Sequence, residues 1–302
     1  MKYKFFVFSD VHGEYDALIK SLTEAGFVES NPNHILVCVG DLFDRGDKNK
    51  ELFRLMSHGS NSKKYIWIKG NHEEMLEEAL EKNLDGEFVL FNMLHNGLDK
   101  TISSFANKKL EGTTTINEIE MAIERAKVFS SGGISLKSKI KSLPYYFETK
   151  NYIFVHAGLD PELRNWKETP KDFMTWDIEC SHLPIYSTDK IVIIGHHHAK
   201  RVRQIGIESH IRENSLGILY VGNTDENRPV RFGNKIAIDP CSNLTKKINV
   251  LVIEDEMLED KTEKKANETK VDNGETITYY NYGPDTIRIN PDYTTVFGGI
   301  HF

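Results

Sequence analysis

Five short apolar runs in this chain each end in a cluster of Asp, Asn or His. They are FFVFSDVHG at 5–13, ILVCVGDLFDRG at 35–46, YIWIKGNHEE at 65–74, YIFVHAG at 152–158 and IVIIGHHHA at 191–199. Carboxylate, amide and imidazole donors suit borderline or hard divalent cations. Singly, each cluster has an ordinary explanation. Asp10 and His12 are a carboxylate and an imidazole just past a strand. Asp41 and Asp44 lie in a glycine-bounded loop where either could cap a helix. Asn71 before His72 reads as an N-cap, and His156 alone reads as a satisfied core histidine. Together they resist these explanations, because gathered carboxylates repel one another and gathered histidines are desolvated unless a cation lies among them. The expected chemistry is a centre of two divalent ions, Mn²⁺ foremost, with Fe or Zn²⁺ as alternatives and thiolate-seeking ions disfavoured.

Such donors need elements that carry them to one place. Near-continuous Val, Ile and Phe runs without alternation suit strands buried on both faces. Helical patterns lie between them at 14–25, 48–56 and 73–82, so the expected class is α/β. In such sheets the loops past the carboxyl ends of the strands gather at one edge, which allows residues as distant as Asp10 and His198 to converge. The stretch 84–142 lacks comparable strands. Within it, Ile116, Ile119, Ala122, Ile123 and Ala126 share a helical face, so the stretch reads as a helical insertion. Runs at 217–222, 235–239 and 248–255 read as strands of a closing sheet. The charged stretch 254–270 reads as an exposed linker or solvated helix, and ETITYY with DTIRIN as a terminal hairpin.

Composition narrows the function classes. The 302 residues can form one large domain or two small ones. Lysine and arginine total 38 against 45 acidic residues, for a net charge of −7, which disfavours a broad nucleic-acid or membrane footprint. Cys38, Cys180 and Cys241 are widely spaced and odd in number, so neither a disulfide framework nor a thiolate zinc site is expected. The expected compartment is the cytoplasm. The N-terminal apolar stretch is too short for a signal segment, and no run approaches a membrane span.

The ordered series Asp10-Val11-His12-Gly13, Gly40-Asp41-Leu42-Phe43-Asp44-Arg45-Gly46, Gly70-Asn71-His72-Glu73, His156-Ala157-Gly158 and Gly195-His196 resembles the calcineurin-like metallophosphoesterases. The GDxxDRG and GNHE forms resemble the phosphoprotein phosphatase branch of that family. The resemblance covers residues 3–253 and extends weakly to HNGLDKTISSF near 95 and IAIDPC near 236. It implies two mixed sheets sandwiched between flanking helices, with a helical insertion after the third motif. It also implies a catalytic domain over 1–253; beyond it, the charged composition predicts a linker over 254–275, followed by a terminal extension over 276–302. By the same resemblance Asp10, His12 and Asp41 hold one metal, and Asp41, Asn71, His156 and His196 hold the other, with Asp41 bridging. His72 is the implied acid for the leaving oxygen, oriented by Asp44, and Arg45 the phosphate-binding arginine.

Two departures stand out. In many relatives a histidine two places past the first, as in GHxH, serves the first metal, and His198 fits that spacing; the phosphoprotein branch more often has Thr-Pro after the first histidine. His197 is expected to point away. Some relatives in the phosphoprotein phosphatase branch also carry an arginine shortly after a tryptophan, whereas MTWDIECSH has Ile178 near that place, so Arg164, Arg201 or Arg203 are the substitutes to consider. Trp176 reads as core. The expected activity is a metal-dependent phosphomonoesterase, foremost a serine/threonine protein phosphatase, acting on a phosphorylated protein or small phosphoester. The alternatives are a dinucleoside polyphosphate hydrolase and a non-catalytic metal-bound scaffold. An intact His72, Asp44 and Arg45 count against the scaffold, which needs no leaving-group acid.

Overall fold

The computed structural model describes residues 1–58, 63–82, 87–110, 114–178, 183–204, 219–258, 268–272, 275–281 and 286–288. The chain alternates β1 (Lys2–Phe8), α1 (Tyr15–Glu24), β2 (His34–Cys38), α2 (Asn49–Ser57), β3 (Tyr65–Trp67) and α3 (Asn71–Lys82). The insertion follows as α4 (Glu87–His95), α5 (Leu98–Ala106) and α6 (Ile116–Lys127). It closes with the short hairpin β4 (Ser130–Ser131) and β5 (Ile134–Ser135) and with α7 (Leu136–Lys141). The chain continues through β6 (Tyr146–Glu148), β7 (Tyr152–Val155), α8 (Lys171–Trp176), β8 (Ile191–Ile194) and α9 (Ala199–Gln204). It then forms β9 (Leu219–Val221), β10 (Val230–Phe232), β11 (Lys235–Ala237), α10 (Ser242–Thr245) and β12 (Val250–Glu256).

Two five-stranded mixed sheets result, ordered β3-β2-β1-β12-β9 and β10-β11-β8-β7-β6. β1, β2 and β3 run parallel, as do β7, β8 and β11. The period of two in each strand sorts side chains between layers. Phe5 and Val7 meet Phe154, Ile193 and Ile236 of the opposite sheet, while Phe6 and Phe8 turn outward onto the helices. Ile153, Val192 and Ile194 face the other way, toward a third cluster that includes Met174 and Val202. Both faces of the central strands are therefore dry, which is why their sequences lack alternation. Burying each such side chain contributes about 1.5–3 kcal/mol.

The expected helices are present, with α6 closed by a capping box: Thr115 accepts from the Glu118 N–H, and Glu118 accepts from the Thr115 N–H. The late strands do not share one closing sheet. β12 and β9 extend the first sheet, whereas β11 and β10 extend the second. β12 also runs three residues past 253, because Asp255 is buried and accepts from the backbone N–H and side-chain amide of Asn151 at 2.9 and 2.6 Å.

Met1–Met257 form one compact unit and Leu258–Phe302 a second. In the second unit, β13 (Glu268–Asp272), β14 (Glu275–Asn281) and β15 (Thr286–Arg288) make an antiparallel sheet that contains the expected hairpin. No helix among the described residues is long and apolar enough to cross a membrane.

Candidate active site

Every expected ligand sits just past a strand. β1 leads to Asp10 and His12, β2 to Asp41, and β3 to Asn71 and His72 at the start of α3; β7 leads to His156 and β8 to His196. The backbone there is strained. Nine non-glycine residues among those described have positive φ, and six of them are Asp10, His12, Asp41, Asp44, Arg45 and His196, at 47–73°. That conformation costs a residue with a side chain about 1–3 kcal/mol, and it persists only where the surroundings enforce it. Strain concentrated at one sheet edge marks a site where side-chain direction outweighs local stability. Gly40 serves the same end: at φ +86°, a β-carbon there would collide with the His156 ring.

Two donor groups share Asp41. Its carboxylate joins His156 and His196 in one group, and His12 and His72 in another, with ligand atoms within 4.8 Å of one another in each. In the first group Asn71 Oδ1 lies 3.0 Å from His156 Nε2 and 3.1 Å from His196 Nδ1, and Asp41 Oδ1 lies 3.2 Å from His156 Nε2. His156 Nδ1 donates to the Val39 carbonyl at 2.8 Å, which turns Nε2 inward. His12 Nδ1 likewise donates to the Phe43 carbonyl at 3.0 Å, leaving Nε2 toward Asp41 Oδ2 at 3.8 Å. Asp10 is buried beside them, and both its carboxylate oxygens accept the His196 backbone N–H at 3.1 Å.

The charges of this edge call for cations. Burial, then Asp239 and Asp41, push the Asp10 carboxyl well above its usual range. Burial opposes charge on His156 as well, but the Asp41 carboxylate outweighs it and pushes the imidazole up to about 10. The field that draws a proton there draws a metal ion equally well. His196 is driven the other way, to about 2, by burial and by His156. Inward-facing imidazole nitrogens, an amide oxygen and mutually repelling carboxylates form a donor set that fits two divalent cations.

Beside the donors stands an imidazole–carboxylate pair. His72 Nδ1 donates to Asp44 Oδ2 at 2.6 Å, and His72 Nε2 faces the centre, 3.1 Å from an Arg45 guanidinium nitrogen. The other Arg45 terminal nitrogen lies 2.9 Å from His12 Nε2, so the guanidinium bridges the two rings. Asp44 is fully buried, and Thr101 of α5 holds it from the far side: the hydroxyl donates to Asp44 Oδ1 and accepts the Asp44 N–H at 2.9 Å.

Three supporting residues had no role in the sequence reading. Glu73 takes the N–H groups of Asp41, Gly70 and Leu42 at 2.9, 2.9 and 2.8 Å, clamping the loop that carries Asp41. Ser242 donates to the Asp10 carbonyl at 2.5 Å. Asp239 is buried, 3.7 Å from His198 Nε2. The sequence signals were slight: the Glu of GNHE, and an Asp at the end of a sixth apolar run.

Asp10 and His198 both fall outside the two donor groups; Asp10 is buried, whereas the His198 side chain is 44% exposed. His197 is buried against the His196 ring at 4.9 Å between centroids and turned from the donors; burial, then His156, lower it to about 3. Trp176 is half-buried and donates to Glu74 at 2.8 Å, while Ile178 is exposed. Of the substitute arginines, Arg203 donates to the carbonyls of Arg228 and Pro229, and Arg164 and Arg201 are exposed.

Parts of the chain are similar to known proteins. Serine/threonine-protein phosphatase 2 of Salmonella typhimurium is 37% identical over 86 residues, 28% of this chain and 36% of that protein. The asymmetrical bis(5'-nucleosyl)-tetraphosphatase PrpE of Halalkalibacterium halodurans is 26% identical over 163 residues, 52% of this chain and 57% of that protein. The chain thus spans between a third and three fifths of these relatives. A solved cold-active protein tyrosine phosphatase aligns with 83% of the chain and 73% of its own, at 15% identity and a TM-score of 0.47. Residues 3–220, which take in both donor groups, the His72–Asp44 pair and Arg45, match the model for calcineurin-like phosphoesterases, and the chain belongs to that family.

Proposed function

We propose that the chain is a metal-dependent phosphomonoesterase whose substrates are phosphoserine and phosphothreonine in proteins. The observation that carries this reading is Arg45, whose guanidinium bridges His12 and His72 at 2.9 and 3.1 Å. A phosphoryl group held there lies against the Asp41-centred donors and against the proton donor at once. The planar fork of the guanidinium suits two phosphoryl oxygens.

His72 carries the proton. With Nδ1–H committed to Asp44, Nε2 is the atom that faces the centre, where it accepts from Arg45; a proton taken up there once a phosphoryl group occupies the guanidinium is the one passed on. Asp44 stabilises the resulting imidazolium, and transfer from Nε2 to the leaving oxygen returns a neutral ring in the same tautomer. Asp41, Asn71, His156 and His196 would hold one cation, and Asp10, His12 and Asp41 the other. When bound, such a pair neutralises charge on the phosphoryl oxygens and acidifies a water.

The test is turnover of phosphoserine and phosphothreonine peptides, aryl phosphates and diadenosine tetraphosphate by the Mn²⁺-loaded chain. Peptides are expected to exceed the dinucleotide in kcat/KM. A preference of about tenfold or more for the dinucleotide overturns the protein-phosphatase reading and leaves the hydrolase standing; activity unchanged in strong chelator overturns the metal requirement. The dinucleotide is the second reading, favoured by the likeness to PrpE over half of this chain.

A further inference from the structure

A cavity of about 480 Å³ opens beside Arg45 on the side of the helical insertion. Arg45 and Gly97 are among its lining residues, and the Gly97 carbonyl accepts the Arg45 backbone N–H at 3.4 Å. Leu90, Met93 and Leu94 of α4, Leu110 after α5 and Ile119 of α6 make an aliphatic part of the wall, and His95, Asn96, Asp99, Thr114 and Asn243 a polar part. Leu94 is 70% exposed and Phe91 54% exposed, so apolar surface continues outward from the mouth. Core packing does not account for a large exposed leucine beside a large exposed phenylalanine.

We propose that this cavity is a specificity subsite for an aliphatic side chain flanking the phosphorylated residue of a protein substrate. The proposal rests on the phosphomonoesterase reading above. Arg45 lines the cavity, so groups attached to a phosphoryl on its guanidinium would extend toward the aliphatic part of the wall. The volume falls within the usual span of ligand sites and accommodates one Leu, Ile or Met side chain with its backbone.

The lining also discriminates against a nucleotide. None of the described lining residues is Phe, Tyr or Trp, so stacking of a base would fall to the His95 ring and to the exposed Phe91 outside the lining. The His95 ring is turned onto Phe91 at 4.5 Å. Arg45 is the one Arg or Lys among those residues, and the half-buried Asp99 adds a carboxyl. A polyphosphate chain leading from Arg45 would meet Asp99 with no second cation, whereas an uncharged aliphatic group meets complementary surface. On the other flank of Arg45 a cavity of about 270 Å³ is lined by charged residues, among them the paired Lys48 and Asp16, and offers no apolar wall of this kind.

The test uses the full Mn²⁺-loaded chain and phosphoserine heptapeptides that differ only in the residue beside the phosphoserine: Leu, Gly or Asp, on either side. The expected result is a kcat/KM for a Leu-flanked peptide about 10- to 100-fold above its Gly counterpart, with Asp at or below Gly. Leu94→Asp, at an exposed position, should bring the Leu/Gly ratio close to one, with Tm showing that the fold is kept. A wild-type ratio near one on both sides, with aryl phosphate still hydrolysed, overturns the subsite alone. No hydrolysis of aryl phosphate or any peptide overturns the phosphomonoesterase reading and the subsite with it. A Leu94→Asp effect confined to diadenosine tetraphosphate assigns the cavity to a nucleoside and overturns the proposal.

Discussion

Thr101→Val removes one hydroxyl and leaves the side-chain shape intact. In the folded chain that hydroxyl is fully buried, donates to Asp44 Oδ1 and accepts the Asp44 N–H at 2.9 Å. The N–H retains Asn49 Oδ1 at 3.1 Å, but the carboxylate oxygen loses its donor in a dry environment. A hydrogen bond to a charged group contributes about 1.5–3 kcal/mol, and an orphaned acceptor adds its desolvation cost, so the substitution should cost about 2–4 kcal/mol. For a unit of this size that lowers Tm by roughly 5–15 °C. The functional consequence is separate. Asp44 orients His72 through one contact at 2.6 Å, so a loosened carboxylate misaims the proton. Turnover of alkyl phosphates should fall roughly 10- to 100-fold, aryl phosphates should fall less because their leaving group needs little protonation, and bound metal should be unchanged. Thr101→Ser, which keeps the hydroxyl, should restore most of the alkyl rate. Steady-state kinetics on paired alkyl and aryl esters, with metal analysis and thermal melts, decide the matter. A lower Tm with an unchanged alkyl-to-aryl ratio would show that Thr101 supports the fold only, and the coupling from α5 to His72 would be wrong.

Asp41→Asn should release or halve the bound metal and abolish turnover while circular dichroism stays native; two ions at full occupancy would refute the bridging role. His72→Asn should keep the metals and slow alkyl ester hydrolysis by roughly 10²- to 10⁴-fold, and equal losses on aryl esters would remove His72 as the acid. Acid should destabilise the fold through His197, lowered to about 3 by burial and by His156. Between that value and the ordinary value of about 6.5 the unfolded chain binds a proton that the folded chain does not. Its contribution is thus complete above about 6.5 and is lost as pH falls toward 3, by at most about 1.4 kcal/mol per unit. Urea unfolding at pH 7, 6 and 5 should show a flatter acid limb for His197→Asn, and identical slopes would contradict the burial of a neutral ring.

How much of this was legible in the sequence follows from which forces leave a compositional trace. Strands dry on both faces must be apolar at every position, so FFVF, ILVCV, YIFV and IVII announced themselves. Parallel strands then bring their carboxyl ends to one edge, so the donors past them could be gathered without coordinates. Sheet membership leaves no such trace. β11 and β12 are equally apolar, and only register sends one to Ile193 and the other to Phe6. Backbone strain was hidden for a related reason, since Asp, His and Arg occur at both signs of φ, and only the geometry shows six of them left-handed at one edge. The third histidine of GHHH has the spacing of a ligand, but spacing does not fix where a side chain points: His198 lies 3.7 Å from Asp239 and, like Asp10, outside both donor groups. Thr101 and Glu73 were least visible, because a residue that serves by accepting a backbone N–H can be any of several polar types. Yet these two carry the coupling between layers: Glu73 secures the loop of the shared Asp41, and Thr101 ties the helical insertion to Asp44. The insertion therefore does more than flank the centre. One of its helices bears on Asp44, the hydrogen-bond partner of His72, and its aliphatic side chains wall part of the cavity beside Arg45, so under the function proposed above changes in this segment should alter both the rate and the choice of substrate without touching a ligand.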